Sequence, residues 1–341
     1  MPSLRYRAHE LIHRSITGID HLPAARVFAG LAIPGAVLLV FGRTDLLIYA
    51  VFGSFTGMYG FAEAPRERLA HQLEAAALLI SGVGLGIALA EYHAPVWLLV
   101  VCVALFAAGL SPITDRLALR PEGPFFGIFA FGAIARVAGN QTQPLLAFAV
   151  CVAVSALCVG VGYFEATRRE RREGPAASAP ATPQRSGRAS AVHAARYALA
   201  IAVSGVIGLL LGIGHANWAM AGAAVPLAAA DSRGRIRRGV HRVLGTFAGL
   251  AVTAPLLLPG PSSTVLAIVI IALLYPTELF MARYYAVALG FFTPLIMSMT
   301  ELAAPDDPRI LLRDRAVDTL LGVAVGVAVA LLVREPDRRD D

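Results

Sequence analysis

Apolar residues run through this chain in long blocks, broken by short polar turns and seldom by an isolated charge. A helix needs about 20 mostly apolar residues to cross a bilayer. Twelve blocks are predicted as spanning helices: 24–41, 45–62, 73–90, 94–111, 123–139, 143–164, 196–213, 216–230, 242–258, 263–276, 278–299 and 314–333. The blocks at 216–230 and 263–276 are short, which points to tilt or a half-span. None alternates with period two over about ten residues, so a β-barrel is not expected.

Between the sixth and seventh blocks, residues 165–195 form a Pro/Ala/Ser/Arg stretch with no apolar period. Such a composition predicts a flexible linker. It divides the chain into a first six-helix unit (24–164) and a second (196–333), with an amphipathic segment at 1–23 and a tail at 334–341. At an offset of 170, Arg26 meets Arg196, Gly35 meets Gly205, Gly42 meets Gly212 and His71 meets His241. Each half opens with two spans, then a charged loop, then a glycine-rich third span. Six spans per half give the two units the same orientation, as in transporters built from parallel repeats. The expected fold is therefore all-α and membrane-integral, with about twelve helices in two parallel six-helix repeats.

Composition supports the same class. Of 341 residues 57% are apolar and 15% charged, against about 45–50% and about 25% in soluble domains. All 29 basic residues are arginine. With the N-terminus on the cytoplasmic side, only Arg43, Arg136, Arg309, Arg313 and Arg315 fall on the other side. That asymmetry fits the positive-inside rule and places both termini in the cytoplasm of a cell-membrane protein. The first block is too long for a signal h-region, so no cleavable signal is expected. Cys102, Cys151 and Cys158 each lie in an apolar run and read as core residues. The RRERR cluster of the linker reads as topology and attraction to anionic lipid rather than nucleic-acid binding.

The second half carries ordered motifs. His215-Ala216-Asn217-Trp218-Ala219 opens the eighth block. Arg233, Arg235, Arg237 and Arg238 follow, then Arg238-x3-Arg242-x2-Gly245-Thr246-x2-Gly249. Arg315-Ala316-Val317-Asp318-Thr319-Leu320-Leu321-Gly322 enters the last block. This series resembles the FUSC family of fusaric-acid-resistance-like and aromatic-carboxylic-acid efflux proteins, and more distantly the plant aluminium-activated malate transporters. The first half resembles them only in layout, and the chain has neither of the cytoplasmic domains that larger members carry. The resemblance implies a transporter rather than an enzyme, exporting small organic anions of the aromatic carboxylic acid class. Read from the residues alone, Gly245, Thr246, Gly249 and Gly322 serve close helix packing. His215, Arg238 and Arg242 belong to the same structural motif, and Trp218 is expected at the outer membrane interface.

Charged groups within spans are the candidates for transport chemistry. The eleventh block combines Glu278, Arg283, Tyr284, Tyr285, Gly290 and Pro294, and is expected to be an interrupted helix at the substrate path. Arg283 is the expected anion contact, with Tyr284, Tyr285, Phe126 and Trp218 as aromatic partners and Arg136 as a second cation. Asp318, which could instead pair with Arg315, and Glu278 are the candidates for proton coupling. Pro34 and Pro226 are read as further breaks. The expected mechanism is proton-coupled alternating access, with an anion channel as the alternative. The expected partners are a small organic anion, protons and the bilayer, with a homo-oligomer left open and no nucleic acid. His9-Glu10-Leu11-Ile12-His13 fits the zinc-protease pattern H-E-x-x-H. It lies before any span, and an interfacial amphipathic helix is the preferred reading; no metal or cofactor is expected.

Overall fold

The computed structural model describes residues 21–61, 63–137, 139, 143–174, 185, 187–229 and 231–333. The His9–His13 motif, most of the expected linker and the tail after Val333 lie outside the described residues. Twelve α-helices and no strand occur among them. They are α1 (His21–Val40), α2 (Leu47–Ser54), α3 (Pro65–Glu91), α4 (Val96–Arg116), α5 (Phe125–Val137), α6 (Pro144–Glu173), α7 (Gly187–Leu210), α8 (Ala216–Leu227), α9 (Ser232–Leu257), α10 (Ser263–Met281), α11 (Tyr285–Ala303) and α12 (Pro308–Leu332). Single 3-10 turns, Thr44–Leu46 and Phe55–Met58, flank α2.

Local chemistry sets these limits. Pro65, Pro144 and Pro308 occupy first turns, where the missing N–H costs nothing. Asp231 accepts from the Gly234 N–H (3.1 Å) and Asp307 from the Arg309 N–H (2.8 Å), capping α9 and α12. Helices α1 and α7 end alike. Gly42 and Gly212 have φ of 67° and 66°, a left-handed conformation that glycine adopts without a Cβ penalty. The next residues, Arg43 and Ile213, donate back to Leu38 and Gly208 at 2.8 and 3.0 Å. This is the same Schellman closure 170 residues apart.

Eight helices, α3, α4, α6, α7 and α9 to α12, are long and apolar enough to cross a membrane. In α1 and α5 the apolar parts are shorter, Ala24–Val40 and Phe125–Val137. The two remaining helices, α2 and α8, have 8 and 12 residues and are buried along their whole length. A helix that is apolar all round and this short is a core element, so the blocks at 45–62 and 216–230 are not full-length rods. Helical structure also continues to Glu173 and resumes at Gly187, into the stretch read as a linker.

The eleventh block is corrected. Pro276 does not end a helix: α10 continues through it to Met281, and the break falls at Ala282-Arg283-Tyr284. Glu278 therefore belongs to α10, and Arg283 sits in a turn rather than inside a span. Pro294 and Pro34 lie within continuous helices, so neither interrupts its span. Pro226 comes one residue before the end of α8.

Helix pairing in the first half recurs in the second. Helix α3 packs on α5 and α6 as α9 packs on α11 and α12, and α2 packs on α6 as α8 packs on α12. Between the halves, α4 lies on α7 and α10 on α1. Glycines let these backbones touch. A Cβ on Gly245 or Gly249 would strike α11 backbone, one on Gly82 or Gly86 would strike α5, and one on Gly322 or Gly326 would overlap carbonyl oxygens of Ala219 or Ala223 in α8. Gly322→Ala is expected to lower stability by about 1–3 kcal/mol through this overlap. Gly290→Ala, where the added methyl meets open space, should leave it nearly unchanged. Thermal unfolding of the purified protein in detergent compares the two, and equal midpoints would contradict this packing.

Candidate functional site

A cavity of about 480 Å³ opens at the arginine-rich end of the bundle, between the two halves. The first half contributes Arg26 from α1, Arg120 and Glu122 from the α4–α5 loop, and Phe125 and Phe126 from α5. The second contributes Arg238 and Arg242 from α9, Glu278 from α10, Arg283 from the turn, and Tyr285 and Phe292 from α11. At the mouth, Phe61, Ala282 and Arg283 are exposed. Helix α9 places its cations by register: Arg235, Arg238, Arg242, Gly245 and Gly249 recur at three and four residues, on one face. The glycines of that stripe lie against α11, which turns Arg238 and Arg242 toward the cavity.

The geometry within the cavity mixes cations with ring faces. Arg242 is 2% exposed; it donates from Nη1 to the Tyr285 hydroxyl (3.4 Å) and lies 5.1 Å from the Phe125 ring centre. Arg238 lies 5.7 Å from the Tyr285 ring centre. Glu278 has one oxygen closed off from solvent and without a hydrogen-bond partner. Arg26 is already satisfied by Glu165 of α6.

Aromatic rings close the inner end. Phe55 packs on Phe126 and Phe292 with centroids 5.2 and 6.1 Å apart, and Phe129 packs on Phe52 and Phe292 at 5.5 and 6.1 Å. All five rings are buried. An unpaired charge cannot pass such a layer without a large desolvation cost.

A second polar group lies deeper, in α8 and α12. Trp218 is sandwiched between the His215 ring (centroids 4.5 Å apart) and the Arg315 guanidinium (5.1 Å). His215 shares a hydrogen bond with Asp314 (3.1 Å). Burial lowers the His215 pKa, and Asp314 opposes that shift. Arg136, at the end of α5, donates from Nε to the Gly214 carbonyl (2.8 Å), joining the two halves at the end opposite the cavity.

The structure thus brings together Arg283, Tyr285, Phe126 and Glu278, and with them Arg238 and Arg242. Tyr284 caps α11 on the exposed side, edge-on to Phe280, and does not line the cavity. Arg136 and Trp218 lie away from it. Trp218 is 2% exposed, so its expected place at the membrane interface is overturned: the indole is held by His215 and Arg315 instead. Asp318 is fully buried outside the cavity lining, and neither of its oxygens has a hydrogen-bond partner, so it makes no hydrogen bond with Arg315. Gly245, Gly249 and Gly322 lie where a Cβ would strike a neighbouring helix, and Thr246 is buried. Sequence reasoning missed Arg26, Arg120 and Glu122 as cavity residues, and it assigned Arg238 and Arg242 to a structural motif. The three-and-four stripe that Arg242 shares with Gly245 and Gly249 was the available signal.

Residues 200–329 match the family model described as fusaric acid resistance protein-like. This stretch of the second half is similar to the FUSC family. The match covers α8 to α11 whole and parts of α7 and α12, including the Arg238–Arg242 stripe, Glu278, Arg283 and Tyr285. Eight helices long and apolar enough to cross a bilayer give the chain the make-up of a multi-span membrane protein. No curated protein and no solved structure matches it.

A cysteine at Met281, in the cavity wall, should react with a water-soluble maleimide in a variant whose Cys102 is replaced by alanine. A cysteine at Ile296, one turn past Phe292 on α11, should not. Equal labelling of the two would show that the aromatic layer does not seal the cavity.

Proposed function

We propose that this protein exports small organic anions, chiefly aromatic carboxylic acids, across the cell membrane by proton-coupled alternating access. The observation that carries this reading is the cavity itself: a pocket between two similarly paired six-helix units, with Arg238, Arg242 and Arg283 beside the faces of Phe125, Phe126 and Tyr285. A guanidinium holds a carboxylate through paired, charge-assisted hydrogen bonds, and the rings offer stacking area to an aromatic body. The family description points to resistance against an organic acid and supports the same class.

In this proposal the twelve helices form two parallel repeats, with α2 and α8 as their half-length members and both termini in the cytoplasm. The recurring helix pairs and the matching closures at Gly42 and Gly212 support the repeat. The arginine-rich end faces the cytoplasm, so the cavity is the inward-facing state. The sealed phenylalanine layer favours alternating access over a standing pore. Outward opening must part α2, α5 and α11 and break the Arg136–Gly214 bond. Asp318 and Glu278, both with unpartnered oxygens, are the proton-linked carboxyls.

The test is uptake of a radiolabelled aromatic acid into inside-out vesicles. Wild-type uptake should collapse with an uncoupler. Arg283→Ala should weaken apparent affinity about tenfold or more, the loss of one charge-assisted hydrogen bond of about 1.5–3 kcal/mol. Asp318→Asn should abolish the proton dependence while sparing exchange of labelled for unlabelled acid. Steady currents at fixed voltage, unaffected by an uncoupler, would instead identify a channel.

A further inference from the structure

Two buried arginines stand on packed helices, α9 and α12. Arg242, from α9, and Arg315, from α12, are 2% and 1% exposed. Each acts electrostatically on the other, and Asp318 and Tyr285 act on Arg315 as well. Arg242 reaches the Tyr285 hydroxyl from Nη1, but its Nε has no partner. Arg315 has two buried nitrogens, Nε and Nη2, with no partner. Asp318 is the carboxylate that acts on Arg315, and both its oxygens also lack a hydrogen bond; Glu122 and Glu278 line the cavity on the Arg242 side. The next carboxylate, Asp314, is taken up by His215. On the remaining side stands the Trp218 ring, 5.1 Å from the Arg315 guanidinium.

Unpaired buried charges and donors cost several kcal/mol together. Three guanidinium N–H groups without acceptors, on two like charges, leave room for one more negative charge. We propose that Arg242 and Arg315 form a binding subsite for a single monovalent anion, closed on one side by Trp218 and balanced by Asp318. Tyr285 orients Arg242 within it. Arg242 also faces the cavity, so the subsite is reached from there. The anion could be a free halide or the carboxylate of an acid in the cavity; the chemistry required is one compact negative charge that accepts several N–H bonds. This inference does not depend on what the protein transports.

The molecule carries its own reporter. Its two tryptophans are Trp97 and Trp218, and Trp97 is 61% exposed at the start of α4. In Trp97→Phe protein, purified in detergent, fluorescence reports on Trp218 alone. Bromide quenches an indole that it touches. The expected result is quenching that saturates with bromide concentration, with its midpoint raised at least about tenfold in Arg315→Gln. Arg242→Gln should do the same, and serves where Arg315→Gln does not fold. Adding benzoate separates the two sources. Relief of the quenching shows that a carboxylate takes this subsite, and undiminished quenching shows a halide held apart from the organic acid. Quenching that rises linearly without saturation in the Trp97→Phe protein would overturn the proposal, as would a saturating curve unchanged in both arginine variants. Either result leaves the transport reading to its own vesicle test.

Discussion

An arginine inside an apolar bundle must find a counter-group, because burying an isolated charge costs far more than one helix contact returns. The two halves of this chain meet that constraint differently. In the first half, Arg26 and the fully buried Arg68 both reach Glu165 on α6. At the place equivalent to Arg26, Arg196 bonds the backbone carbonyls of Ala330 and Val333 at the end of α12. The Arg26 and Arg196 contacts tie the first helix of each half to its last. In the second half α9 carries Arg242 where the 170-residue offset puts Gln72 on α3. Gln72 donates to the Tyr59 carbonyl and brings no charge. At this paired position the second half thus turns a guanidinium toward the cavity where the first half has a neutral amide.

The half-length helices α2 and α8 follow from the same economy of polar groups. Within the apolar region a backbone break is tolerated only where it is buried in protein or lines a cavity. Both helices are wholly buried, and each stops short of the arginine-rich end. The space beyond their ends is where the cavity lies: Gly57 and Met58 follow α2, and Val225 and Ala228 mark the end of α8, and all four line it. The cavity is therefore a consequence of two short helices, one in each half. The phenylalanines at its floor come from α2 with its following turn, and from α5 and α11.

Much of this was legible in the sequence. Apolar block length gave the number and order of the helices, and the offset of 170 anticipated a matched closure at Gly42 and Gly212, because a left-handed glycine after a helix is a local property. The break between α10 and α11 was misplaced because Pro276 looks like a stop, whereas α10 carries it internally and the chain turns at Arg283 instead. Trp218 was misread because a tryptophan beside a polar turn has the same signature at a membrane interface as in a buried stack. What decides between them is Arg315, almost one hundred residues away. The convergence of Arg120, Glu122 and Arg26 on Arg242 was not legible at all. It depends on how α1 and the α4–α5 loop meet α9, and no spacing within one segment records that.

The position of Arg242 links the cavity to the interior. It lines the cavity and acts on Arg315, as Tyr285 does, and its helix packs on α11 and α12 together. Gly245 and Gly249 hold α9 against α11 with no room for a Cβ, so α9 cannot slide without carrying α11, and with it Phe292 in the closing layer. A change in the charge balance around Arg242 and Arg315 therefore acts on a rigid pair of helices, one of which supplies a ring of the seal. Under the proposed alternating access, that mechanical chain runs from guanidinium to glycine contact to phenylalanine and starts in α9 rather than in the exposed turn that carries Arg283.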